Sequence, residues 1–327
     1  MEIEYLPLKD RNLYGCFEHA YISVLNTYIG EYRLINKKSF NIQLCQQSFN
    51  NFNRDILQIQ DKILQIALEY YGYGFKVNQL NNEENEELIK KELLEGNICI
   101  INLDLFWDSF REDYYKKKHT DYHARVVTGE TEENYILYSW DDKYLLHKED
   151  LKQGCLEVIT LERFEVEKDI VKEELIKELI QDMYQFYCTD FIKLFIIIKQ
   201  GCNDFNLYKE IREQKNLLGV AFFLNCRTLA KSRERVRDYI LYLLSKEKEH
   251  VLNKMEIKLK EVLDLLKEVA DKWWFVSNIL IKEAQAFERD SSHVNKDINK
   301  RIELLVQDIE QIEYKLYNCI DTIRNGF

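Results

Sequence analysis

The run Tyr14-Gly15-Cys16-Phe17-Glu18-His19-Ala20 places a cysteine at the head of a stretch whose apolar residues recur at helical spacing as far as Gly30. The first turn of a helix carries backbone N–H groups without acceptors and the positive end of the helix dipole, and both favour a thiolate. A cysteine nucleophile needs a base, and His123, at the head of the β-branched run Ala124 to Gly129, is the candidate. A third group would hold the imidazole in one tautomer; Asp141, closing the strand that returns beside that of His123, is the candidate, with Asp142 as the alternative. The Cys16 backbone N–H is available to an oxyanion, and Asn12 is the candidate side-chain donor. Cysteine, then histidine, then acid, spread over separate elements, is an arrangement for acyl transfer.

Other residues compete for these roles. His19 shares a helix face with Cys16 and is expected to pack rather than to pair with the thiol. His119 and His123 have an H-x-x-x-H spacing that would hold a metal on a helix. The run after His123 predicts a strand, where that geometry fails, so no metal is expected. Lys116-Lys117-Lys118 reads as a solvated loop segment that, beside a reactive thiol, would meet a phosphopantetheine. Trp273-Trp274 reads as helical core. No glycine-rich phosphate loop or G-x-S-x-G elbow occurs, and no cofactor is expected.

The elements that must position Cys16 and His123 follow from periodicity. Helices are predicted over the stretch after Gly15, over Asp55 to Ala67, and over Asn85 to Leu94 with Gly96 as the stop. Ile98 to Leu103 reads as a buried strand, with a possible short strand at Ser39 to Leu44. Asp104 to Asp121 is an aromatic, charged loop of functional length. A hairpin joins the strand from His123 to Tyr135–Trp140, and further strands are expected at Tyr144 to Leu146 and Val158 to Leu161. From Val166 the texture is helical, with segments near 167–199, 204–231, 232–249, 252–288 and 293–324.

The 327 residues allow two domains, and the net charge of −11, concentrated in the first half, argues against nucleic acid as a partner. An acidic catalytic half suits a cationic substrate such as an amine. No stretch reaches bilayer-spanning apolar length, so no membrane partner is expected, and the N-terminus lacks a signal-peptide layout. Eight scattered cysteines without framework spacing indicate reduced thiols, and the expected setting is cytoplasmic.

Four motifs together resemble the N-terminal domain of the butirosin biosynthesis protein H family. They are the Gly15-Cys16 helix opening, Ile100-Ile101-Asn102-Leu103-Asp104 with Tyr114-Tyr115, the His123 to Gly129 strand, and Tyr135-Ile136-Leu137-Tyr138-Ser139-Trp140-Asp141. The resemblance covers about residues 1–164. It implies a papain-like fold related in layout to bacteriocin-processing cysteine peptidases, and a setting beside nonribosomal peptide and other natural-product pathways. The implied chemistry moves an aminoacyl group from a carrier protein to an aminoglycoside amine, and it carries Cys16 and His123 over as nucleophile and base. The family's returning strand ends in Asp-Pro, whereas here Trp140 stands nearest that Asp and the acid falls one later.

The expectation is therefore an α+β chain with a papain-like domain over 1–164 and an all-helical bundle over 165–327. The expected activity is a cysteine-dependent acyl (aminoacyl) transferase, or amide-forming enzyme, fed by a phosphopantetheine-bearing carrier protein and a small amine. The alternatives are a papain-like peptidase or amidase, and a non-catalytic scaffold that keeps the fold. The second half resembles the helical extension of many such proteins, including its Arg-rich Lys231 to Asp238 stretch. It would shape the acyl pocket, dock the carrier, or form a homodimer.

Overall fold

The computed structural model describes residues 2–9, 13–40, 42–43, 51–59, 62–120, 123–166, 171–214, 217–245 and 253–326. The chain forms two compact units, one from Met1–Tyr32 with Lys62–Asp169, the other from Arg33–Asp61 with Ile170–Phe327. Sequence places a single boundary after residue 164. The chain instead passes between units after Tyr32, Asp61 and Asp169.

Helix α1 (Cys16–Ile29) begins at Gly15, whose N–H donates to Glu18 Oε2 at 2.6 Å, and stops at Gly30, which has φ 66°. A 3-10 turn at Arg33–Lys38 follows, and β1 (Ile42–Gln43) pairs antiparallel with β2 (Gln58–Ile59). The helix predicted over Asp55 to Ala67 is cut to α2 (Ile63–Ile66) and a π-helical turn at Ala67–Tyr71. Buried Asn225 explains the loss: it accepts from Leu57 N at 2.7 Å and donates to the carbonyls of Phe52 at 2.9 Å and Asp55 at 2.8 Å. A buried amide satisfied three times outweighs a few tenths of a kcal/mol per residue of helix preference. Asn225→Ala is expected to cost about 2 kcal/mol of unfolding free energy in urea titration, because it orphans the Leu57 N–H and two carbonyls.

Gly72, at φ 70°, opens β3 (Tyr73–Asn78), a strand the sequence did not disclose; a Cβ there would stand 2.3 Å from the Phe164 carbonyl oxygen. Helix α3 (Asn82–Leu94) starts earlier than predicted because Asn81 caps it. Its side chain accepts from the N–H groups of Glu83 and Glu84, and Glu84 accepts from Asn81 N. Then come β4 (Cys99–Leu103), β5 (Ala124–Glu130), β6 (Asn134–Ser139), β7 (Asp142–His147), the unpredicted helix α4 (Lys148–Gly154) and β8 (Cys155–Arg163). The strands form one antiparallel sheet in the order β3-β8-β4-β5-β6-β7.

Helices cover both faces of this sheet. Cys99, Ile101, Leu103 and Val127 pack with Ile89, Leu93 and Leu151 from α3 and α4. Ile98, Ile100, Ala124 and Val126 pack with Ala20 and Val24 of α1. Alternate residues of β4 thus feed two cores, which is why Ile98 to Ile101 is continuously apolar.

The second unit contains α5 (Lys172–Thr189), α6 (Phe191–Asp204), α7 (Leu207–Gln214), α8 (Ala221–Ser245), α9 (Asn253–Arg289) and α10 (Ile298–Arg324). The segment predicted near 167–199 breaks at Asp190, and Gly201-Cys202 lies inside α6. The break expected at 231/232 is absent, because α8 runs through it; the one expected at 249/252 lies outside the described residues. The Arg-rich stretch is a core device. Arg233 is buried against Glu313 at 2.9 Å, the other Glu313 oxygen accepts from Tyr187 OH, and the guanidinium lies 4.4 Å over the Phe40 ring. Of the tryptophan pair expected in the core, Trp273 is fully buried and Trp274 is only half-buried. Among the described residues no helix is long and apolar enough to cross a membrane.

Candidate active site

The direction of α1 decides which end of the sheet its N-terminus reaches. Tyr28, near its C-terminus, accepts from Ile98 N at 2.9 Å beside the start of β4. The Tyr28 ring stacks on Tyr73 and Tyr21 meets Phe75, so α1 runs antiparallel to β3 and β4. From Tyr28 back to Cys16 the helix spans about 18 Å, and from Ile98 to Asp104 the strand spans about 20 Å. Cys16 therefore lies over the end of the sheet where β4 finishes and β5 begins. A second anchor agrees: the His19 ring meets Trp140 edge-on at 4.7 Å, and the β5–β6 register, Val126 opposite Tyr138, carries Ala124 and His123 toward Trp140 and Asp141.

Cys16 is a half-exposed free thiol at the first position of α1. Cys99, Cys155, Cys202 and Cys226 are buried, and burial pushes their thiols up, to about 12 for Cys155 and Cys202. Those four are packed, poor nucleophiles. Cys45 lies outside the described residues. Gly15 N–H is committed to Glu18, while the N–H groups of Cys16 and Phe17, within the first turn, have no intrahelical acceptor and can face an oxyanion. Asn12, the candidate side-chain donor, lies outside the described residues.

His123 is half-buried and stands immediately before Ala124, its carbonyl accepting from Leu103 N at 2.9 Å. That bond extends the β4–β5 ladder by one step, and alternation from Ala124, which faces α1, directs His123 to the face shared by Leu103 and Val127. Asp141 is not the end of a strand: with Trp140 it forms the two-residue turn between paired Ser139 and Asp142, the latter opening β7. Trp140 has φ 60°, a left-handed conformation that costs a bulky residue about 1–2 kcal/mol and is held here against His19.

His19 packs, as expected. It is buried, its Nε2 donates to Leu8 O at 2.9 Å, and its Nδ1 lies 3.3 Å from Ser23 Oγ. The three loop lysines are exposed, as a solvated segment should be, and each has a partner on its own loop or a neighbouring element. Lys116 Nζ donates to Asp150 at 2.7 Å and lies 3.4 Å over the Trp107 ring, Lys117 Nζ donates to Glu112 O, and Lys118 sits over Tyr114. Among the described residues no group of three or more His, Cys, Asp and Glu side chains is placed to hold a metal ion.

Two pairings at this end of the sheet went unread in the sequence. His119 Nδ1 donates to Asp104 Oδ2 at 2.6 Å. Arg125, on β5, forms a fully buried ion pair with Asp108 at 2.6 Å, with Tyr144 OH at 3.1 Å and the Ala124 carbonyl at 2.9 Å also bonded to its guanidinium. The available signals were an acid directly after a strand and an arginine inside an apolar run. No protein-family model matches the chain, and no curated protein matches it in sequence.

Proposed function

We propose that the first unit is a cysteine acyltransferase of the butirosin biosynthesis protein H type, forming amides from carrier-bound thioesters in a cytoplasmic natural-product pathway. The observation that supports this reading is the half-exposed Cys16 thiol at the start of α1, laid over the sheet end where His123 precedes β5. In the first step the Cys16 sulfur attacks the thioester carbonyl and His123 takes the thiol proton. The carbon–sulfur bond to the pantetheine arm breaks, and the departing thiolate collects that proton. The developing oxyanion faces the Cys16 and Phe17 N–H groups. An amine then attacks the acyl-enzyme, and Cys16 leaves as the thiol. Phosphopantetheine belongs to the carrier, and the helical unit would dock that carrier or a second copy of the chain.

The test uses acetyl-pantetheine thioester as donor and glycinamide as acceptor. N-acetylglycinamide is expected with the wild type and none with Cys16→Ala. Acetate alone would make the protein a thioester hydrolase or amidase. Absence of acetyl from Cys16 in wild type would leave a scaffold that keeps the fold.

A further inference from the structure

We propose that His119, oriented by Asp104, is a second catalytic base of this site, acting on the incoming amine. The inference rests on the acyl-enzyme reading of Cys16. Asp104 directly follows Leu103, whose N–H bonds the carbonyl of His123, so the pair stands at the same sheet end as Cys16 and His123. Asp104 Oδ1 accepts from Phe106 N at 3.0 Å and Thr120 N at 2.8 Å, and Oδ2 accepts from His119 Nδ1 at 2.6 Å. Partial burial raises the Asp104 carboxyl, but the hydrogen bonds from His119, Thr120 and Phe106 and the charge of the ring together hold it below its ordinary range. It is therefore an anion whose place is fixed by backbone donors.

The His119 ring is fixed as well. It stacks on Phe106 with centroids 4.2 Å apart and planes 10° apart, and Leu105 N donates to Thr120 Oγ1 to close the loop neck. With Nδ1 bound to a carboxylate and 69% of the side chain exposed, Nε2 is the nitrogen turned to solvent. A carboxylate on Nδ1 and an open Nε2 is how a catalytic imidazole is held in one tautomer. A merely structural loop clasp would not need the ring exposed, because Thr120 and Phe106 already close it through Asp104.

Proton balance gives this base a task. A primary amine reaches the site at neutral pH as an ammonium ion and ends as an amide, losing two protons. One passes through His123 to the Cys16 sulfur as the thioester bond breaks. The other must leave before attack, because an ammonium nitrogen has no lone pair. His119 Nε2 takes it and releases it to solvent. His123 is half-buried at the start of β5, whereas His119 is exposed.

The test follows acylation by the release of 4-nitrophenolate from 4-nitrophenyl acetate, and deacylation by two acceptors at neutral pH. Glycinamide is largely protonated there, and hydroxylamine is largely neutral. In His119→Gly the acylation burst should keep its wild-type rate, and deacylation by glycinamide should fall at least tenfold. Deacylation by hydroxylamine should be unchanged, and added imidazole, which fits the vacated face of Phe106, should restore the glycinamide rate. Asp104→Asn, which keeps the acceptor for the two backbone N–H groups, should show the same acceptor-selective loss. Equal rates for variant and wild type with both acceptors, or equal losses with both, would overturn the proposal while leaving the acyl-enzyme intact. A wild-type protein that gives no burst and no acetyl on Cys16 would remove the acyl-enzyme reading and this inference with it.

Discussion

His123→Ala is expected to slow acylation of Cys16 about 10²–10⁴-fold, the range by which a positioned base contributes to such a step. The size follows from what no other described group at this sheet end supplies. His19 has both ring nitrogens engaged by Leu8 and Ser23, so it is not free to take over. His119, with Asp104 on Nδ1, is the base assigned above to the incoming amine rather than to the thiol. Stopped-flow release of 4-nitrophenolate from 4-nitrophenyl acetate, with Cys16→Ala as the background, measures the effect. A His123→Ala burst as fast as wild type would show that the thiol needs no base, or finds it elsewhere.

The second large effect concerns stability. Asp108→Ala removes the partner of a guanidinium that is 1% exposed, and is expected to cost about 3–5 kcal/mol in denaturant unfolding of the whole chain. Arg125 would keep Tyr144 OH and the Ala124 carbonyl, neither of which neutralises it. The pair also clamps the loop after β4 to the residue after Ala124, close to His123. Asp108→Ala should therefore lower the acylation rate along with stability. Because breaking a buried pair is worse than replacing it, the double variant Asp108→Ala, Arg125→Met should recover a good part of the lost stability. If the single and double variants unfold alike, the pair does not clamp the loop.

Much of this was legible in the sequence where a local signal and its environment agree. Ile98 to Leu103 reads as a buried strand and is one, because both sheet faces are covered. Gly30 and Gly96 stop their helices at positive φ, and Trp273 is core. The failures have a common cause in contacts distant along the chain. Ile56 to Ile66 has helical spacing, yet Asn225, far along the sequence, takes the backbone of Phe52 to Leu57. Nothing in Lys231 to Asp238 signals burial, yet Glu313 draws Arg233 into the core. At the candidate site the Cys16 helix and the approach of β5 were readable from residue type and order. Asp141 was misplaced because a tryptophan at positive φ turns the chain one residue before it, and a side chain that tolerates such a φ poorly gives no turn signal. The Asp104–His119 pair was hidden because its partners are separated by a loop whose closure only the folded chain reveals.

The central claim is that Cys16 is a nucleophile made reactive by His123. Its most direct measurement is the rate of iodoacetamide alkylation at each cysteine of the native protein at neutral pH, followed by peptide mass spectrometry in wild type and His123→Ala. The account predicts that Cys16 alkylates fastest among the described cysteines, that buried Cys99, Cys155, Cys202 and Cys226 stay unmodified, and that His123→Ala slows Cys16 at least tenfold. A Cys16 that reacts no faster than exposed Cys188, at a rate indifferent to His123, would contradict it.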